Sequence, residues 1–200
     1  MAELKLRKRA TALLAMDVQN LQVGAVRQSN PERATMPETL RTVIAAARQA
    51  GMLVVHVVVR FREGYPEVNP RNLLIGPLSD TGLLKESGAD AQINAAVAPL
   101  VNEPIVVKRR VSAFFDTDLS TILRTRGIDT LLLTGISTSR VVLSTAVDAF
   151  DADYRVVTIE DCCADPEAEL HRLLAEKVLG QFGPIIDSRT AIAAISNASD

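Results

Sequence analysis

Cysteine and histidine are scarce in this sequence, two of each in 200 residues. The cysteines, Cys162 and Cys163, are neighbours, unlike the spaced, even-numbered cysteines of a disulfide framework, and neither belongs to a redox CxxC pair. His56 and His171 lie far apart without ligand spacing, so no built-in zinc site is expected. No apolar run approaches the ~20 residues needed to cross a bilayer, and the first residues lack the apolar core of a secretory signal. Charge of one sign is lacking too: 22 Lys and Arg against 24 Asp and Glu give a net -2, with no basic field to draw nucleic acid or anionic lipid. These absences imply a cytoplasmic protein with no nucleic-acid or membrane partner.

What is present is a 48% hydrophobic chain of a length that suits one domain over 1–200 with a single substantial core. The basic stretch Lys5 to Arg9 reads as a solvated segment, and 1–10 as flexible or peripheral. Thr11 to Met16 is a short, wholly apolar run, as expected of a parallel strand buried on both faces, and gives way at once to Asp17-Val18-Gln19-Asn20. A polar loop follows. The spacing of Thr35 and Glu38 around Pro37 predicts a capping box opening a helix over 35–50, stopped by Gly51.

Residues 52–59 predict a central strand, 61–88 a long functional loop, 89–97 a helix, and 105–107 a short strand delivering Lys108. Further helices are expected over 118–126, 139–151 and 166–179, the last beginning at Pro166, with strands over 130–134, 155–159 and 184–186. Ser188 is expected to cap a final helix reaching about residue 196. This alternation predicts an α/β three-layer sandwich: a mainly parallel six-stranded sheet with helices on both faces, Rossmann-like in plan. Ligands of such sheets bind at the strands' carboxyl ends. There the sequence places Asp17, Lys108, the turn 135–141 and Asp161. Alone, Asp17 reads as an Asx-turn or cap and Lys108 as the start of a basic surface run; together on one partly buried rim they would stabilise each other's charges and share proton transfer.

The turn GISTSRVVLSTAVDAF resembles the nucleophile turn of the isochorismatase-like cysteine hydrolases, which include nicotinamidases, carbamoylsarcosine and ureidoacrylate amidohydrolases, and isochorismatases. The resemblance spans almost the whole chain, through LLAMDVQN, VVKRRVSAFFDTDL, LLLTGISTSRVVLSTAVDAF and YRVVTIEDCCAD. It implies an Asp, Lys and Cys triad in which Asp17 and Lys108 match the first two members and Val141 stands at the third. A valine has no proton to lose and no lone pair, so the thioester route of such enzymes is closed at position 141. True isochorismatases are relatives without the cysteine that use the aspartate as a general acid. Their turn carries a tyrosine where Ser137 stands here.

The resemblance further implies a turn at Ile136 and Ser137, often cis, that aims backbone amides into the site. Substrate-binding candidates are Gln19, Asn20, Arg60, Phe114, Phe115 and Thr138. Arg60 and Arg62 read alternatively as exposed loop arginines, and Phe114 and Phe115 as ordinary packing. Nicotinamidases carry an Asp-x-His metal motif where this chain reads Arg60-Phe61-Arg62, so neither metal nor other cofactor is expected. Ser137, Thr138, Ser139 and Ser144 read as caps and turn formers, no histidine standing near them in sequence, and Cys162 and Cys163 as structural. The leading expectation is a small-molecule hydrolase using Asp17 and Lys108 for acid/base work; the alternative is a pseudoenzyme binding a carboxylated or amide ligand or a protein partner. Relatives commonly form homo-oligomers, dimers or tetramers.

Overall fold

Strand β1 (Thr11–Met16) buries all six side chains. In the computed structural model, which describes residues 4–200, they alternate between two cores: Leu13 and Ala15 enter one, Ala12, Leu14 and Met16 the other. With β2 (Leu53–Val59), β3 (Ile105–Lys108), β4 (Thr130–Ile136), β5 (Arg155–Ala164) and β6 (Ile185–Ile186) it forms a six-stranded sheet in the order β3-β2-β1-β4-β5-β6. Every pairing is parallel, as the alternation of apolar runs and helices predicts.

The helices are α1 (Asn20–Ser29), α2 (Met36–Gln49), α3 (Leu78–Thr81), α4 (Leu119–Thr125), α5 (Leu143–Asp151), α6 (Ala168–Lys177) and α7 (Ser188–Ser196). Leu40, Val43 and Ile44 of α2 join Ala191 and Ile195 of α7 over one face of the sheet, and Leu119 and Leu123 of α4 join Ala146 and Ala149 of α5 over the other. In these four helices buried residues recur at intervals of three or four, the stripe a sheet-covering helix needs. A smaller cluster of Phe61, Tyr65, Ile75, Leu84 and Ala91 holds the long connection after β2 together. Residues 4–10 also pack: Leu6 is buried, and Arg7 pairs with Asp129 and bridges to Ser199. Among the described residues no helix is long and apolar enough to cross a membrane.

The chain proceeds from β1 to β2 and β3 on one side, then crosses back to β4, β5 and β6 on the other. The strand order therefore reverses between β1 and β4, and the crevice beyond their carboxyl ends is where such sheets bind ligands.

Several local expectations give way to tertiary bonding. Residues 20–29, expected as polar loop, form α1, whose buried stripe is only Val23 and Val26. Residues 89–97 yield one 3-10 turn, Ala95–Val97, because their carbonyls serve another element: Asp90 and Gln92 accept from the amides of Leu21 and Asn20, and Ala91 from the Gln19 side chain. Thr35 makes no side-chain cap, and Glu38 pairs instead with Arg27. Asp187 rather than Ser188 caps α7, accepting from the Thr190 amide, while Ser188 donates through its amide and hydroxyl to Asp161. Asp161 itself lies within β5, which continues past Ile159 to Ala164, so it is not a strand-end group.

Candidate active site

The backbone turns sharply at the end of β1, where Asp17 takes a left-handed conformation (φ 53°) and its amide donates to Val57 O at 2.8 Å. Aspartate tolerates this region better than most residues because its short polar side chain can bond locally. Lys108 closes β3, two strands away, and reaches back so that its Nζ lies 2.8 Å from Asp17 Oδ2. The ammonium also donates to Arg110 O at 3.0 Å. Both side chains are almost completely buried, Asp17 at 5% exposure and Lys108 at 3%. Asp17 Oδ1 makes no hydrogen bond within normal geometry among the described residues.

Burial in this setting penalises the carboxylate more than the Lys108 charge and hydrogen bond favour it, so the Asp17 carboxyl is held above its ordinary range. An ion pair in water would move it the other way. The direction reversal rests on the surroundings, a cavity of about 230 Å3 walled largely by Leu21, Val59, Ile75, Leu84, Ile136 and Val141.

One residue before the end of β4, Gly135 has a φ of 142° and lies so close to β1 that a Cβ would collide with Met16 O. No side chain fits there. The Ile136–Ser137 peptide is cis, and a π-helical turn, Thr138–Val142, leads into α5. Val141, 1% exposed, belongs to the same core as α5 while lining the cavity with Asp17, Lys108, Ile136 and Ser137.

The turn is pinned from outside the cavity. Ser139 donates through its amide (2.9 Å) and hydroxyl (2.6 Å) to Asp165 Oδ2. Thr138 Oγ1 lies 2.7 Å from His171 Nδ1, and His171 Nε2 lies 3.0 Å from Glu160 Oε1, which also pairs with Arg33. The carboxylate can only accept, so Nε2 donates to it; in the neutral ring Nδ1 then accepts the Thr138 hydroxyl proton. Hydrogen bonding from His171, opposed by burial and aided by Arg33, holds Glu160 below the usual carboxylate range. A histidine thus does reach a hydroxyl of this turn, from 33 positions along the chain. Thr138 is nonetheless wholly buried and is not among the residues that line the cavity.

The structure brings Asp17, Lys108, Ile136, Ser137 and Val141 to one cavity wall, whereas the six side chains taken from sequence as substrate contacts lie elsewhere. Gln19 is fully buried, donating to Val59 O (3.0 Å) and Ala91 O (2.6 Å) and accepting from Val59 N, and so stitches the β1 turn to the end of β2. Asn20 donates to Ala89 O, Arg60 to Ala91 O and the Gln92 side chain. Phe114 packs against Tyr154, Phe115 points to solvent at 60% exposure, and Thr138 is held by His171. Arg62 pairs with Glu67.

Sequence reasoning missed the walls: Leu21, Gln22 and Ala25 of α1, Leu74 and Leu78 of the long connection, and Arg110 and Arg140. Leu21 and Ala25 carried a faint signal in their i, i+4 spacing. Cys162 and Cys163 are buried; desolvation raises both thiols, that of Cys163 to about 12, so neither is a thiolate at neutral pH. Among the described residues no group of three or more His, Cys, Asp or Glu is placed to hold a metal ion.

Fold and cavity together define a doubly wound α/β architecture with a cavity at the switch point of its sheet. The chain belongs to the isochorismatase family: the profile described as "Isochorismatase domain" matches residues 11–190. It is 29% identical over 150 residues to the maleamate amidohydrolase of Pseudomonas putida, covering 75% of this chain and 70% of that protein. It is 31% identical over 191 residues to an Arabidopsis thaliana protein named "probable inactive nicotinamidase", covering 90% and 94%. A crystal structure of a cysteine hydrolase from Pseudomonas syringae pv. phaseolicola superposes with a TM-score of 0.84 at 22% identity, covering 98% of both chains, a likeness of fold.

Proposed function

We propose that this isochorismatase-family protein is a small-molecule hydrolase in which Asp17 is the general acid and base and Lys108 orients it, with no covalent thioester step. One observation carries the reading: Asp17 lies buried at an apolar cavity, its Oδ2 engaged by Lys108 and its Oδ1 unpartnered. A carboxyl raised above its ordinary range can hold a proton, and the oxygen left free by Lys108 is where that proton would sit.

Acid catalysis of this kind suits a vinyl ether. The Asp17 proton goes to the alkene carbon, leaving an oxocarbenium ion; water adds to it, and the Asp17 carboxylate takes the proton that water releases. The hemiketal then collapses to a ketone and an alcohol, so one water is consumed and Asp17 ends protonated as it began. Val141, at the position where the family resemblance puts the nucleophilic cysteine, has no role in these steps beyond its apolar surface.

A second reading, a pseudoenzyme that binds a ligand without turnover, draws on the same valine and on the likeness to the Arabidopsis probable inactive nicotinamidase. Turnover of vinyl ethers, amides and ureido compounds by the purified protein and by Val141→Cys separates the two. Vinyl ether hydrolysis by the unaltered protein is the expected result. Amide hydrolysis that appears only in Val141→Cys, with the unaltered protein inert on all three classes, would favour the pseudoenzyme.

A further inference from the structure

We propose that the protein carries a second ligand site, at the amino edge of the sheet, for a small phosphate-bearing molecule of the nucleotide class. This edge is the opposite end of the strands from Asp17, so the site stands independently of the hydrolase reading. Its starting point is the basic stretch Lys5 to Arg9, which in the folded chain is fixed in place. Leu6 is buried, Lys5 O accepts from Arg155 Nη1 at 2.8 Å, and the Lys8 amide donates to Ser199 O at 2.8 Å. Lys8–Ala10 then forms a 3-10 turn that leads straight into β1.

Held this way, Lys8 and Arg9 border a cleft of about 530 Å3, a size within the ~300–1,000 Å3 of small-molecule sites. Arg48 from the last turn of α2 and Arg126 from the end of α4 bring the cations on its wall to four. Among the described residues Glu103 is the only acid on that wall, and its carboxylate already accepts from Arg48, His56 and the Leu100 amide. The carbonyl ends of α2 and α4 favour one cation each and so account for Arg48 and Arg126. Lys8 and Arg9 stand on neither helix, and the exposed contact of Lys8 with Asp200, at 3.3 Å, is screened by solvent. The cleft is therefore positive in a chain whose net charge is -2.

The four cations come from three elements, so a ligand needs several anionic oxygens to meet more than one of them. Phosphate groups supply these, and arginine holds phosphate through two parallel N–H donors. Between the cations the wall is apolar, through Met52, Leu53, Leu100 and Ile128, a surface that suits a ring rather than a bare ion. A nucleoside di- or triphosphate combines the two features in one molecule.

Calorimetric titration of the intact protein with magnesium-free ATP, pyrophosphate and adenosine tests the site. ATP is expected to bind with a Kd below ~1 mM, pyrophosphate several-fold more weakly, and adenosine more weakly still. The double variant Arg9→Gln, Arg126→Gln should weaken ATP at least tenfold. Both side chains are exposed and make no hydrogen bond or ion pair within the described residues, so the fold should persist. Arg172→Gln, on α6 and paired with Glu176, should leave ATP binding unchanged. ATP that fails to bind, or an ATP affinity unmoved by the double variant, overturns the site. Pyrophosphate that binds as tightly as ATP overturns the nucleotide class, since the apolar wall then contributes nothing. Vinyl ether turnover reports on Asp17 alone: its absence with ATP binding intact would sink the hydrolase reading and leave this site standing.

Discussion

Asp17→Asn is expected to lower hydrolytic turnover by roughly 10²- to 10⁴-fold, the usual contribution of a positioned acid or base. Asparagine keeps the shape of the side chain and an oxygen for the Lys108 ammonium, now 2.8 Å from Oδ2, but has no acidic proton. With Asp17 in its acid form, asparagine leaves Lys108, 3% exposed, beside a neutral group as before, so the fold should persist. The double variant Asp17→Asn, Lys108→Met removes the buried ammonium as well, yet it still lacks the acid and should stay inactive. Steady-state rates paired with denaturant unfolding of both variants check this; a double variant as active as the unaltered protein would leave Asp17 with no catalytic role.

The second large effect is acid lability seated away from the cavity. Glu103 accepts from Arg48 Nε and Nη2, both at 2.7 Å, from the Leu100 amide at 2.8 Å, and from His56 Nε2 at 3.1 Å. Burial raises its carboxyl, but these donors together outweigh burial and lower it from 4.5 to about 2. His56 is lowered from 6.5 chiefly by its own burial, against the pull of Glu103. Both groups bind protons more weakly folded than unfolded, so both make stability fall as pH falls. The His56 contribution is complete above pH 6.5 and begins to fade below it; that of Glu103 is complete above 4.5 and lost by about 2. The Glu103 shift corresponds to about 3 kcal/mol. Glu103→Gln should therefore be less stable than the unaltered protein at pH 7 and lose less stability between pH 4.5 and 2, as measured by urea unfolding across that range. An unchanged slope in the variant would place the acid lability elsewhere.

Much of the fold was legible because a parallel strand covered on both faces must be apolar throughout, and residues 11–16 and 130–134 show this directly. The strand-end rule likewise located Asp17, Lys108, Ser137 and Val141 without coordinates. Where the sequence misled, tertiary contacts had overridden local pattern. Residues 89–97 gave their carbonyls to the Gln19, Asn20 and Leu21 donors instead of to their own helix. In β5, half-buried Glu160 and Asp161 looked like a strand's end, although pairing resumes at Cys163 and Ala164 beyond an irregularity in the register with β4.

The cavity walls were harder to read, since they come from α1, from the long connection after β2 and from single residues such as Arg110 and Arg140. Apart from the i, i+4 spacing of Leu21 and Ala25, none of these shows a periodic pattern that points to a cavity. Gln19, Asn20 and Arg60 sit beside the site in sequence, yet their polar groups are consumed by backbone carbonyls of the 89–92 segment and the end of β2. The Thr138 to His171 bond joins residues whose proximity only the folded chain creates.

Central to all of this is an Asp17 carboxyl that burial raises above its ordinary range despite a lysine in contact. Carbon-13 NMR titration of the Asp17 carboxyl, assigned through Asp17→Asn, measures that state directly. The expected midpoint lies above 3.8, the ordinary value for aspartate, because burial outweighs Lys108. A midpoint at or below 3.8 would mean an ion pair that stays charged, and would contradict acid catalysis by Asp17.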